Sequence, residues 1–268
     1  MKWQTLKVAI KGRLATIMLN RPDVSNAFNE TLVKELDSSF RELADSLEIR
    51  VIVLAGIGKC FSAGADLRWM KTMADLSEEE NFADAHGLVA MLRTIYTCPK
   101  PVIARVHGDA YGGGVGLIAA ADIAVAADSA CFSLSEVKLG LIPATIGPYV
   151  IRAIGARAAR RYFITAERFD AAEALRIGLV HKITPSGALD SAIESVVAVI
   201  LQNGPGAVAR SKQLVHDLDG QSLTDELLAD TARRIARTRA TDEAREGVRA
   251  FLEKRLPAWV ADASATER

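Results

Sequence analysis

The chain carries no excess of either charge: 33 basic side chains stand against 33 acidic ones in 268 residues. A nucleic acid or a membrane surface as main partner calls for a basic surplus, so neither is expected, although a balanced total leaves room for a local basic face. Long apolar runs are missing too. No stretch approaches the roughly 18 apolar residues that a membrane span takes. The start, MKWQTLKVAIKGRLATIMLN, has no apolar block like that of a secretory leader. Cysteine is scarce. Cys60, Cys98 and Cys131 form an odd set without CxxC spacing, which argues against a disulfide framework and against a zinc knuckle. His86, His107, His181 and His216 show no metal-ligand spacing, so no metal is expected. The expectation is a soluble, cytoplasmic protein. Half of its residues are hydrophobic, and its length suits one large domain with an ample core, with or without a small extension.

What is present has a clear order. TLKVAIKGRLATIMLN alternates and breaks at Lys11-Gly12, which reads as two strands and a hairpin. NETLVKELDSSFRELADSL places Leu32, Leu36, Phe40 and Leu43 at a helical period. RVIVLAG is a buried strand stopped by glycine. A helix over 79–96 follows, then the strand PVIARVHG, and DIAVAAD after a glycine cluster. Strand, loop, helix, strand in this order implies an α/β protein with parallel strands and crossover helices. VIVLAGIGKCFSAGAD and VIARVHGDAYGGGVG are both apolar strands that run into glycine-rich loops, and stacked repeats would put both loops at one end of the sheet. After about residue 145 only GLVHKI still reads as a strand; the rest is helical. We therefore expect a core over 1–200 and a helical region over 201–268.

The glycine cluster, GDAYGGGVGLIAAADIAV from Gly108, admits three readings. One is a tight turn with close packing, which the missing Cβ permits. Another is a dinucleotide fingerprint: Gly114-x-Gly116-x-x-Ala119 fits it, with Glu136 twenty residues on. The context opposes that reading, because VIARV ends well before Gly114 and Asp122 arrives too soon for a full crossover helix. The third is a close approach of backbone N–H groups to a ligand oxygen at the start of a short helix, where free N–H groups face outward. One such group would make half an oxyanion hole, and Ala63 in CFSAGAD would supply the other.

At this point a resemblance becomes clear. RPDVSNAFNETLVKEL, GKCFSAGADLRWM, KPVIARVHGDAYGGGVGLIAAADIAVAAD, SEVKLGLIPA, RYFITAERFDAAEALRIGLV and AFLEKRLPAW together resemble the enoyl-CoA hydratase/isomerase (crotonase) superfamily, in order and over nearly the whole chain. The resemblance implies an α/β fold, a spiral of ββα units followed by a C-terminal helical trimerisation region. It implies homotrimers or homohexamers. It also implies an acyl-CoA thioester as substrate, coenzyme A entering as part of that substrate and not as a prosthetic group. The thioester carbonyl would be held by the N–H groups of Ala63 and Gly113. SNAF and SAGADL match where the family holds the CoA moiety, which points to Ser25, Ala27, Ala65, Asp66 and Leu67. Asp66 has an equal alternative, as a structural residue bonding its own loop.

Two-carboxylate hydratases of that family carry one glutamate where this chain has Gly116. The second is retained as Glu136 in SLSEVKLGLIPA. A single carboxylate beside an apolar pocket would have a raised pKa and serve as both acid and base. Its structural alternative is an ion pair with Lys138 or an arginine. The wording SEVKLGLIPATIGPYVIRAIGARAARRYF most resembles the methylglutaconyl-CoA and isohexenylglutaconyl-CoA hydratases. The expected reaction is therefore addition of water to a branched, carboxylated 2-enoyl-CoA such as 3-methylglutaconyl-CoA. Two alternatives stand beside it: a Δ3,Δ2-enoyl-CoA isomerase using one glutamate, and a crotonase-like scaffold that binds acyl-CoA without turnover. No GxSxG elbow surrounds Ser62, which argues against a serine hydrolase. The basic segments ARAARRYF and ARRIARTRA read as solvated helix faces or subunit contacts.

Overall fold

The computed structural model describes residues 3–73 and 75–260. Its strands are β1 (Leu6–Lys11), β2 (Leu14–Leu19), β3 (Val51–Gly56), β4 (Val102–Val106), β5 (Ala110–Tyr111), β6 (Ile123–Ala127), β7 (Cys131–Ser133), β8 (Phe169–Asp170) and β9 (Lys182–Thr184). Six of them form one sheet in the order β1-β2-β3-β4-β6-β9, antiparallel only between β1 and β2. Gly12 turns the first hairpin at φ +56°, in the left-handed region that glycine enters without strain. β5, β7 and β8 form a small second sheet. Its strands of two or three residues are too short to show alternation, and sequence periodicity misses them. The segment GLVHKI contributes only its end, Lys182–Thr184, as an edge strand on β6.

The helices are α1 (Glu30–Asp45), α2 (Leu67–Met73), α3 (Glu78–Tyr96), α4 (Gly113–Ala120), α5 (Gly147–Thr165), α6 (Ala171–Arg176), α7 (Leu189–Gln202), α8 (Pro205–Leu218), α9 (Asp225–Arg239) and α10 (Asp242–Leu252). Asn29 starts α1 by accepting a hydrogen bond from the Leu32 N–H at 2.9 Å. Ser77 and Glu80 close a capping box at the start of α3. Both faces of the large sheet are covered. In β3, Val51 and Val53 pack with Leu189, Ile193 and Val197 of α7, whereas Ile52 and Leu54 join Leu32, Leu36 and Phe40 of α1. This is why RVIVLAG reads as an unbroken apolar run instead of alternating.

Polar contacts tie the C-terminal helices to the body and to each other. Lys212 Nζ donates to Asp122 Oδ2 at 2.7 Å, and Glu243 accepts from the N–H groups of Gly206 and Ala207 at 2.8 and 2.7 Å, at the start of α8. Neither α8 nor α9 buries a residue, and Val215, Leu228, Val248 and Phe251 are exposed. Among the described residues no single helix is long and apolar enough to cross a membrane.

Candidate active site

β3 and β4 lie side by side and parallel, so the loops that follow them leave from one end of the sheet. Hydrogen bonds then stitch the two loops together. The N–H of Phe61 donates to Asp109 O at 2.9 Å, and that of Tyr111 donates to Ser62 O at 2.9 Å. The approach is close enough to require glycine. A Cβ on Gly64 would stand 2.9 Å from Tyr111 O and 3.6 Å from Gly113 N, and Gly64 itself sits at φ +84°. On the other loop, Gly112 is at φ +48° and a Cβ there would stand 2.9 Å from Glu136 Oε1.

Several N–H groups in this junction have no acceptor among the described residues, those of Gly113 and Ala65 among them. Gly113 is the first residue of α4, where no intrahelical acceptor exists, and its N–H has no other partner among the described residues. Ala65 sits between two bonds to Phe28: the Phe28 N–H donates to Gly64 O at 2.6 Å and the Asp66 N–H donates to Phe28 O at 2.8 Å. The Ala65 N–H between them has no partner among the described residues. The expectation for Ala63 is corrected here. Its N–H donates to Ser25 O at 2.9 Å, so it is committed within the protein and not free for a ligand.

Glu136 opens the short 3-10 turn Glu136–Leu139 that follows β7. Its carboxyl group is mostly buried, and burial pushes its pKa above the ordinary carboxylate value, against a weaker pull from its own backbone N–H. Oε2 is buried with no hydrogen-bond partner. Among the described residues no ion pair reaches Glu136, and Lys138 is exposed. The structural alternative of a salt bridge is therefore absent.

These groups line one cavity of about 330 Å³. Its walls are apolar, with Phe28, Trp69, Met70, Leu88, Leu141 and Ile142 prominent. A second carboxylate, Asp84 of α3, also lines it and accepts a hydrogen bond from Trp69 Nε1 at 3.0 Å. Burial, the largest influence, holds Asp84 above the ordinary aspartate value despite that bond. No histidine, lysine or arginine is among the described residues lining the cavity. No group of three His, Cys, Asp or Glu side chains among the described residues could hold a metal ion.

The space beside Gly116, where the resemblance implies a second glutamate, is occupied. A Cβ on Gly116 would overlap the Ile146 Cγ2 methyl and stand 2.9 Å from Ile146 Cβ, and Ile146 is itself buried.

The enoyl-CoA hydratase/isomerase family model matches residues 9–262. The chain belongs to that family. It is 43% identical to an enoyl-CoA hydratase from Shewanella pealeana whose crystal structure covers 96% of this chain and 97% of its own, with a TM-score of 0.94. An enoyl-CoA hydratase structure from Mycobacterium smegmatis superposes with a TM-score of 0.90 at 36% identity, over 95% of this chain and 98% of its own. The short-chain-enoyl-CoA hydratase of Clostridium acetobutylicum is 34% identical over 247 residues, 91% of this chain and 93% of that protein.

Of the residues that the family resemblance assigns to CoA, two have hydrogen-bond partners within the protein. Asp66 is buried, receives Arg21 Nη2 on Oδ2 at 2.8 Å and receives the Arg68 N–H on Oδ1 at 2.8 Å. Burial alone would raise its pKa, but Arg21 and the Arg68 N–H outweigh that and hold it below the usual aspartate value. Its carboxylate is spoken for, so the structural alternative holds. Ala27 is buried, donates its N–H to Val24 O and accepts from Arg21 at its carbonyl. Ser25, at φ +54°, is half-buried and Leu67 is exposed, and neither is among the residues lining the cavity. Sequence reasoning missed Asp84, which no motif marks and which the packing of α3 against α1 and α4 brings to the cavity.

Proposed function

We propose that this enzyme adds water to 2-enoyl-CoA thioesters, with Glu136 as its one acid–base group and the N–H groups of Ala65 and Gly113 as the site for the thioester oxygen. The observation that supports this most is Glu136 itself: a mostly buried carboxylate with no ion pair among the described residues, lining the same cavity as the unpartnered N–H groups of Ala65 and Gly113. A carboxylate so placed costs stability, and a base in need of a proton is the return on that cost.

In this reading the carboxylate takes a proton from water as the water oxygen bonds to C3. The C2–C3 π electrons move toward the thioester oxygen, and Ala65 and Gly113 meet the charge that develops there. Glu136 then returns the proton to C2 as the enolate collapses. One O–H bond breaks, one C–O and one C–H bond form, and the carboxylate is regenerated. Ser25 and Leu67 are left to contact the CoA moiety. The branched, carboxylated acyl chain that the resemblance suggests meets no basic side chain among the described residues of the lining, so nothing there supports it.

The isomerase reading has its own support, since Ile146 fills the space of a second acid and double-bond migration needs only one. The exposed apolar side chains of α8 to α10 support assembly into trimers or hexamers; sedimentation at micromolar concentration should show such a species, and a monomer would remove this part of the proposal. Loss of enoyl-thioester absorbance with crotonyl-CoA and with 3-methylglutaconyl-CoA, run side by side, tests the function. Migration of a 3-enoyl double bond without hydration of either substrate would replace hydratase by isomerase. No reaction with any of them would leave the scaffold reading.

A further inference from the structure

The acyl cavity carries two negative groups and no positive one among its described lining residues. Glu136 is accounted for by the proposed chemistry. Asp84 is not. It caps no helix and forms no ion pair among the described residues. Its one side-chain bond, from Trp69 Nε1 at 3.0 Å, needs an acceptor but not a charge, because a neutral amide oxygen accepts an indole N–H equally well. That bond fixes Oδ1 and leaves Oδ2 uncommitted. The neighbouring charge that acts on Asp84 is Glu30, again negative. Asp84 is half-buried, and the cavity wall it shares includes Trp69, Met70, Met73, Ala85 and Leu88, an environment in which an unpaired charge is disfavoured. A charge kept in an apolar wall, with a structural bond that does not require it, points to a role in selecting what enters.

We propose that Asp84 is a specificity-determining residue that excludes acyl chains ending in a carboxylate, so that the substrates are thioesters of uncharged, apolar acyl chains. This rests on the acyl-CoA reading above and narrows it. An acyl carboxylate would bring a third negative group into a low-dielectric cavity with no cation among its described lining residues to offset it, whereas an alkyl chain of equal length would meet methionine, leucine and indole surface.

Binding of two saturated, unreactive thioesters tests this without turnover. Hexanoyl-CoA and glutaryl-CoA have acyl chains of similar length, and only glutaryl ends in a carboxylate. Calorimetric titration of the full-length protein should show hexanoyl-CoA binding at least about tenfold tighter. Asp84→Asn keeps the shape and the acceptor for Trp69, and should narrow that ratio severalfold. Asp84→Glu keeps the charge and should retain it. Comparing two ligands in one preparation cancels any loss common to both. Equal affinities in the wild type, or tighter glutaryl-CoA, would overturn the proposal. An Asp84→Asn ratio equal to that of the wild type would also overturn it and leave Asp84 a structural role. If neither thioester binds, this proposal falls, and the crotonyl-CoA assay decides separately whether the hydratase reading falls with it.

Discussion

Gly116→Ala sets two opposed effects of known size against each other. Gly116 lies inside α4, and alanine in a helix interior is favoured over glycine by about 1 kcal/mol. Propensity alone therefore predicts a more stable protein. The structure predicts the opposite, because the new methyl group would overlap Ile146 Cγ2 and stand 2.9 Å from Ile146 Cβ. Ile146 is 1% exposed and has no solvent side to retreat to. Overpacking of this kind costs about 1–3 kcal/mol. The net expectation is a loss of up to about 2 kcal/mol, read as a lower midpoint in urea unfolding. Removing the obstructing methyl supplies the control. Ile146→Ala alone should cost about 2–5 kcal/mol through the cavity it leaves. In that background Gly116→Ala should become neutral or stabilising, a favourable coupling of about 1 kcal/mol or more between the two sites. A gain of the full helix-propensity increment by Gly116→Ala in the wild-type background would refute the packing argument. It would also reopen Gly116 as a position where a second carboxylate fits.

Two further predictions concern the loop after β3. Ala65→Pro deletes one N–H of the proposed anion site and should lower kcat about 10²–10³-fold, and an unchanged kcat would remove Ala65 from that role. Asp66→Asn leaves Arg21 without its carboxylate partner in a largely buried setting, so stability should fall by about 3 kcal/mol, measured by urea unfolding at neutral pH. The Asp66 pKa is lowered in the folded state, so its contribution is complete above the ordinary aspartate value and is lost as pH falls through the lowered one. The wild-type and Asp66→Asn midpoints should therefore converge in acid, and a constant gap down to low pH would contradict the assignment.

The sequence carried much of the active-site architecture, and the reasons are local. Strands that follow one another through crossover helices must be parallel, so VIVLAG and VIARV had to send their glycine-rich loops to the same end, and they do. A helix start at the glycine run places a free N–H at Gly113 by geometry alone. The choice between Ala63 and Ala65 was not local. It depends on Ser25 O capturing one N–H and on Phe28 bonding either side of the other, contacts made by a segment far earlier in the chain. Asp66 was ambiguous for a related reason, since its partner Arg21 is equally distant in sequence. Asp84 gave no signal because its place in the cavity depends on how α3 packs on α1 and α4, contacts between elements far apart in the chain. Ile146 filling the space beside Gly116 is likewise a contact between elements that no spacing rule connects.

The central claim is that Glu136 alone moves the proton, and Glu136→Gln tests it most directly. Burial holds the folded-state pKa of Glu136 above its ordinary value, so the charged form costs stability that is lost progressively as pH rises from the ordinary carboxylate range through the raised value. The amide should therefore fold at least as well as the acid at neutral pH, and inactivity would not reflect unfolding. The measurement is kcat for crotonyl-CoA hydration together with the dissociation constant of saturated butyryl-CoA, in the wild type and in Glu136→Gln. The account predicts a fall in kcat of about 10²–10⁴-fold with butyryl-CoA affinity nearly unchanged, because Ala65 and Gly113 still hold the carbonyl. Hydration by Glu136→Gln at the wild-type rate would contradict it.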